Sequence, residues 1–395
     1  MIIINDTFEI KGGSHTLMLR ICKWIVKQGL DITFFYNKGD NKSIISEIIE
    51  AGGQVLDVGG NRIGNLTAFF TNVSTNGLQV INFSWNYYVE VEIVKKELNI
   101  QFENKIYCII PDTFEKGKGI SNSLIRNLLK LPYKGMLKRM NDNNAVIMMD
   151  EVCKERTEKW NRFRLSEETP MIRLPISFPD NDHYEDDIRD GYYSNTIVTA
   201  SRADFMFKGY LLGLVDDFVK LKEKYKDVKL VIVASGKDED MLKRKINDIP
   251  NNIKEDLTLI PWLSYDELLQ MIRKSKFFIG MSSTLLDAAK LYKICIPIKG
   301  YTYGNLANGF FDEDPRYLYA PDNCVTDAIG IMERCLDWDY EEYHVRALSH
   351  YNAVKSLYDE NINIRKLVET KSISRNCTLT KSEILAHKLY IKLNQ

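Results

Sequence analysis

No apolar run in this chain approaches the roughly 20 residues of a membrane-spanning helix, so no such anchor is expected. The start, MIIINDTFEI, lacks the basic stretch of a secretory leader. Charge of one sign is missing too: 53 lysines and arginines stand against 54 aspartates and glutamates. That balance excludes a global pull toward nucleic acid, and any anion site must be local. The seven cysteines (Cys22, Cys108, Cys153, Cys295, Cys324, Cys335, Cys377) show no C-x-x-C pair or other metal spacing, and most fall inside apolar patterns. They read as reduced core residues of a cytoplasmic protein. A D-x-D metal signature is lacking at any suitable place, because Asp238-Glu239-Asp240 follows a glycine turn at a helix start, where acids are ordinary first-turn residues. No metal is expected. Short-period repeats and low-complexity tracts are absent as well.

What is present is alternation of strand and helix patterns, in a chain whose 395 residues exceed what one core usually organises. Strands are expected at 1–4, 31–36, 54–58, 78–83, 105–110, 145–149 and 171–176, and helices at 14–28, 41–51, 65–73, 89–98 and 121–139. Residues 177–194, SFPDNDHYEDDIRDGYYS, are polar, acidic and without period, which reads as a linker. The alternation then restarts, with strands at 196–200, 229–234, 257–260, from Phe277 and at 294–298, and helices at 210–224, 240–247, 265–274 and 285–292. Beyond Asp322 the chain turns helical. This predicts an α/β protein of two Rossmann-like, doubly wound parallel sheets: a domain at 1–178, a linker at 179–194, a second domain at 195–340, and helices at 341–395 that pack back on the first. Ligands belong at the carboxyl edges of the sheets, in a cleft between them.

Residues 277–297, FFIGMSSTLLDAAKLYKICIP, run a buried strand into Ser-Ser-Thr and then into a helix with one carboxylate in its first turn. Ser282, Ser283 and Thr284 set hydroxyls beside the unpaired amides of a helix start, which suits phosphate. Asp287, about one turn on, is placed to accept from vicinal sugar hydroxyls; a capped helix with Asp287 complementing its dipole fits the same residues. Gly12-Gly13-Ser14-His15 opens the first long helix, where paired glycines admit a ligand close to the backbone or simply make a turn before a Ser14 cap. Ser201-Arg202 and Lys208-Gly209, just past the first strand of the second half, offer a planar fork and a point charge to a departing diphosphate, or form a solvated loop pair; their place at a strand end before a helix favours the former. Pro261-Trp262-Leu263-Ser264 presents an aromatic ring and backbone amides to a nucleobase edge, or a hydrophobic staple around a Ser264 cap.

The order of these motifs, with Gly236 in VIVASG, the W-L-S-x-D-E-L segment and the Leu286-Asp287-Ala288-Ala289 helix, resembles the GT-B glycosyltransferases. The chain is most similar to the retaining family 4 group (glycosyl transferases group 1). The likeness spans most of the chain and is firmest over 196–298. It implies that Arg202 and Lys208 grip the diphosphate of a sugar nucleotide, that Gly12 and Gly13 admit the same group, that Asp287 is a ribose ligand, and that Asp112 joins Arg202 and Lys208 as a catalytic residue. It implies no further cofactor, the nucleotide sugar being a substrate. Two positions depart from the family pattern: its first glutamate falls on Ile279, and its histidine falls on Pro111 beside Asp112.

The resulting expectation is a cytoplasmic, retaining and metal-independent glycosyltransferase acting on a glycan or lipid-linked acceptor in polysaccharide or glycoconjugate synthesis. Positioning and leaving-group stabilisation would drive the transfer. Acceptor groups are expected from the first half, with His15, Asp112 and Trp85-Asn86 as candidates. Residues 116–139 interleave Lys116, Lys118, Arg126, Lys130, Lys134, Lys138 and Arg139 with an apolar stripe; the segment reads either as a peripheral contact with an anionic membrane or as a core-facing helix with a solvated back. The alternatives to a transferase are a GT-B sugar-nucleotide epimerase and a non-catalytic sugar-nucleotide or glycan-binding module.

Overall fold

Runs of β-branched and aromatic residues, buried on both faces, form the strands of two parallel sheets, and helices with one apolar stripe cover them. The computed structural model describes residues 1–6, 13–37, 41–110, 113–115, 123–178, 184–321, 323–372 and 379–394. The chain divides into two units, residues 1–175 with 360–395 and residues 176–359.

Unit 1 runs β1 (Ile2–Asn5), α1 (Gly13–Lys27), β2 (Ile32–Tyr36), α2 (Lys42–Glu50), β3 (Gln54–Asp57), α3 (Arg62–Thr71), β4 (Gln79–Asn82), α4 (Trp85–Leu98), β5 (Glu103–Cys108), α5 (Ser123–Asp142), β6 (Val146–Met148) and α6 (Glu151–Asn161). Its sheet has the order β3-β2-β1-β4-β5-β6, and every pairing is parallel. One apolar cluster, including Ile3, Phe35, Leu66, Phe70, Val80, Val91 and Phe102, packs α3 and α4 onto it. The expected strand at 171–176 is reduced to two isolated bridges at its ends, Met171 with Met148 and Ile176 with Asp359. Between them, the carbonyls of Ile172 and Arg173 accept from the Tyr107 hydroxyl at 2.8 and 3.2 Å instead of from a ladder. Helix α6 escaped the sequence reading because only Cys153 and Thr157 on it are buried, too weak a stripe to register.

Unit 2 runs α7 (Tyr184–Tyr193), β7 (Thr196–Arg202), α8 (Phe205–Lys208), α9 (Tyr210–Lys224), β8 (Lys229–Ser235), α10 (Glu239–Asn247), α11 (Asn251–Lys254), β9 (Leu257–Ile260), α12 (Tyr265–Arg273), β10 (Phe277–Gly280), α13 (Ser283–Ala289), β11 (Ile294–Pro297), α14 (Ile329–Asp337) and α15 (Tyr340–Tyr358). The sheet order is β11-β10-β7-β8-β9, again all parallel. Much of the expected linker is therefore helix α7. Two buried lysines hold it: Lys276 Nζ donates to Tyr192 O at 2.8 Å and Lys293 Nζ to Asp187 O at 2.6 Å. Tyr192 packs on Tyr340 and Tyr343, so tyrosines do the work that an aliphatic stripe would have announced.

The expected boundary at 340/341 moves to 359/360, because α15 buries Tyr343, Ala347, Val354 and Tyr358 within unit 2. Only α16 (Glu360–Glu369) and α17 (Lys381–Asn394) belong to unit 1. Lys105, fully buried in β5, caps the end of α16 by donating to Leu367 O at 2.8 Å and Thr370 O at 2.7 Å, and burial pulls its pKa down to about 8. Among the described residues no helix is long and apolar enough to cross a membrane.

Candidate functional site

In unit 2 the winding of the sheet reverses between β7 and β10, so the loops leaving these neighbours diverge and open a crevice at their carboxyl ends. Both motif-bearing stretches end there. Strand β7 delivers Ser201 and Arg202; β10 delivers Gly280 and then Met281-Ser282.

The loop after β7 is fixed to the loop after β8. Ala203 N donates to Ser235 O at 2.8 Å, Asp238 N to Ala203 O at 3.0 Å, and Asp238 Oδ2 accepts from Phe205 N at 2.7 Å. Gly236 sits at φ +149°, where a Cβ would stand 2.8 Å from Ala203 O, so this close backbone approach accounts for the glycine. Ser201 faces the Tyr210 hydroxyl, which also lies 3.0 Å from Thr199 Oγ1. From the other side, Tyr301 N donates to Phe207 O at 2.9 Å, and a Cβ on Gly209 would meet Thr302 O at 2.6 Å.

Held in this way, Lys208 lies partly buried, with its ammonium 4.6 Å from the centre of the Phe207 ring. Burial and then the Arg202 charge push its pKa down to about 7, against a weaker pull from Asp204, whose carboxylate is 3.0 Å from Lys237. Arg202 is exposed and takes no hydrogen bond or ion pair among the described residues. Two cations side by side, one of them desolvated, repel each other until an anion sits between them.

The facing wall is strained. Ser282 has φ 62° and ψ −142°, a region nearly reserved for glycine, and its amide donates to Leu318 O at 3.1 Å. Thr284 Oγ1 is engaged by Met281 O at 3.2 Å and Ala200 O at 3.4 Å, which ties α13 to the β7 side. Neither Ser282 nor Ser283 makes a side-chain hydrogen bond among the described residues. Ser282→Gly is expected to raise unfolding stability by about 1 kcal/mol through relief of this strain, as read from denaturant midpoints.

Asp287 does not stand open for ribose. It is 2% exposed, accepts from the Tyr265 hydroxyl at 2.8 Å and pairs with Lys290 at 3.0 Å. Its carboxylate joins α12 to α13. Ser264 forms a capping box with Glu267, which leaves the Trp262 ring 67% exposed and Leu263 partly buried beside it. Ile279 is fully buried in β10.

No protein-family model and no curated protein matches the chain. Solved structures do. A glycosyltransferase from Rickettsia africae is 15% identical, with a TM-score of 0.65 over 95% of this chain and 98% of that one. HepE of Anabaena, in complex with UDP and glucose, is 12% identical at a TM-score of 0.65, covering 93% of this chain and 98% of its own. A TarM variant of S. aureus, in complex with Fondaparinux, alpha-GlcNAc-glycerol and UDP, is 11% identical at a TM-score of 0.60, over 93% and 99%. The fold is GT-B.

In the first unit of this GT-B chain, Gly12, Pro111 and Asp112 lie outside the described residues. Gly13 is the first residue of α1. His15 is buried 3.0 Å from Glu47 Oε2, and Trp85 is buried against Phe114 and Tyr133. Of the basic segment, Lys116 and Lys118 are outside the described residues. Within α5, Tyr133, Met136, Leu137 and Met140 are buried, Lys134 Nζ donates to Arg162 O at 2.9 Å, and Arg139 pairs with Glu383 at 2.5 Å. That half of the segment turns its apolar stripe to the core.

The sequence reading missed a chain of polar side chains that runs from the carboxyl edge of this sheet at β1 and β4 inward to the start of β5. Arg62 Nη2 donates to Asn5 Oδ1 (2.6 Å), Asn5 to Asn82 Oδ1 (2.8 Å), Asn82 to Asn104 Oδ1 (2.6 Å), and Asn104 to Glu92 Oε1 (2.8 Å). Arginine only donates and a carboxylate only accepts, so the two ends set the direction of every amide between them. The one available signal was an asparagine ending each of two apolar strands, IIIN and QVIN.

Proposed function

We propose that this chain is a glycosyltransferase that moves a sugar from a nucleotide-diphosphate donor, held in unit 2, to a glycan or lipid-linked acceptor. The observation that carries the reading is Arg202 and Lys208, without an ion pair among the described residues, at the switch point of a parallel sheet, a setting that an anion of two or more charges completes. HepE and TarM, which share the fold, are complexes with UDP.

Donor diphosphate lies against Arg202 and Lys208, with the Ser282 and Ser283 hydroxyls on the opposite wall and the exposed Trp262 ring available to the base. As the bond from the anomeric carbon to the diphosphate breaks, the two cations stabilise the charge left on the leaving oxygen, a job that a metal ion does elsewhere. The anion in turn restores Lys208 to its charged form. With Ile279 buried where the resembled family has a glutamate, retention rests on positioning of acceptor and donor rather than on a carboxylate nucleophile from that strand. The buried Ile279 and the engaged Asp287 also favour the second reading, a sugar-nucleotide-binding module without turnover; a transfer assay with radiolabelled donor separates the two.

Calorimetric titration with UDP, GDP, ADP, CDP and dTDP tests the donor site. One of them is expected to bind with uptake of nearly one proton at pH 8 and much less at pH 6, read from the dependence of the heat on buffer ionisation, because Lys208 starts near 7 and is raised by the bound phosphates. No heat with any of the five at millimolar concentration would refute the reading.

A further inference from the structure

We infer that unit 1 carries a second site, at the carboxyl ends of β1, β2 and β4, that takes a neutral, hydroxyl-rich pyranose through Arg62, Glu90 and Tyr87. The winding of this sheet reverses between β1 and β4, which places a crevice at their carboxyl ends just as in unit 2. Arg62, the first residue of α3, extends its guanidinium over that edge. Its Nε donates to Glu90 Oε2 at 2.8 Å, Nη1 to Asn37 Oδ1 at 2.7 Å and Nη2 to Asn5 Oδ1 at 2.6 Å, while the guanidinium lies 4.0 Å from the centre of the Tyr87 ring. Asn5 and Asn37 end or follow β1 and β2; Tyr87 and Glu90 come from α4. Groups from three other parts of the unit thus fix one planar fork.

The fixing leaves capacity unused. A guanidinium has five N–H groups and three are engaged, Glu90 Oε1 takes no hydrogen bond among the described residues, and the Tyr87 hydroxyl, which accepts from Asn37 Nδ2 at 3.3 Å, still has its proton to give. The Arg62 and Glu90 side chains keep 12% and 9% exposure, so neither is closed off from solvent. Donors and an acceptor set side by side match sugar hydroxyls, each of which both donates and accepts. Because Glu90 already balances the Arg62 charge, the site favours a neutral ring over an anion. Behind it, the amide relay through Asn5, Asn82 and Asn104 holds the fork rigid, which lowers the entropy lost on binding. That the bound ring is the acceptor rests on the transferase reading; that it binds does not.

Saturation-transfer NMR on the full chain with the methyl glycosides of glucose, galactose, mannose, N-acetylglucosamine and glucuronic acid tests this. At least one neutral glycoside is expected to receive saturation, with the signal falling fivefold or more in Arg62→Lys, which keeps the charge but loses the fork, and in Tyr87→Phe, which keeps the ring. Thermal melts verify that both variants fold, and binding of the nucleoside diphosphate is the control for unit 2. If no neutral glycoside responds, if folded Tyr87→Phe keeps the full signal, or if the glucuronide is preferred, the site is overturned. Glycoside binding that follows the variants in a chain that binds no diphosphate upholds the site and refutes the transferase reading.

Discussion

Arg202→Ala and Lys208→Ala are each expected to lower kcat by about 100- to 1,000-fold, the loss seen when a preorganised donor to developing negative charge is removed. The effect belongs on kcat more than on KM, because the charge on the leaving diphosphate grows as its bond to the sugar breaks. Stability should move little for Arg202→Ala, since an exposed, unpaired cation contributes almost nothing to the fold. Lys208 differs. Its folded pKa of about 7 lies below the 10.5 of a free lysine, so between those values the unfolded chain binds more protons and stability rises with pH; below pH 7 the full penalty of desolvating the ammonium is present. Lys208→Met is therefore expected to be more stable than the parent by about 1 kcal/mol at pH 6, with the gain shrinking toward pH 10, while turnover collapses. Denaturant midpoints at the two pH values and initial rates with the identified donor measure both halves. Near-parental turnover in both alanine variants would show that the diphosphate is held elsewhere.

Asn82→Leu is expected to destabilise unit 1 by about 3–5 kcal/mol, although leucine keeps the branched side-chain skeleton of asparagine. The side chain is fully buried and donates to both Asn104 Oδ1 and Lys105 O, at 2.6 and 2.9 Å, while accepting from Asn5. Substitution leaves an amide N–H and two carbonyl oxygens without partners in the interior, each at about 1–3 kcal/mol before relaxation. Local amide exchange is the appropriate readout in a chain of two units: peptides covering β1, β4 and β5 should lose protection, and those covering β7 to β11 should keep it. Unchanged exchange in β1 and β4 would mean that water or local rearrangement replaces the lost bonds.

Both sheets were legible in the sequence, because burial on two faces writes continuous apolar runs such as KLVIVAS and FFIG, and the turns between them carry glycine. The placement of Arg202, Lys208 and Ser282 at strand ends was legible for the same reason: a motif that follows an apolar run sits at its carboxyl edge. Helix α7 was not, since its contacts run through tyrosines and through lysines that donate to its carbonyls, and neither leaves a period in the sequence. Nor was the fate of Asp287. A place near a helix start predicts a free carboxylate equally well whether or not a tyrosine hydroxyl 22 residues earlier folds onto it; in the structure Asp287 is the fifth residue of α13, past its first turn.

The sequence by itself determined the class of fold, the number of sheets and the strand ends where chemistry can occur, because these follow from local burial patterns that repeat every two or about 3.6 residues. Tertiary structure alone decided which polar groups remain free. Arg62 meets Asn5 across 57 residues of sequence and Asn5 meets Asn82 across 77, so no local pattern encodes those bonds. Only the parallel register of β1, β2 and β4, which sets their carboxyl ends side by side, brings the groups within hydrogen-bonding distance.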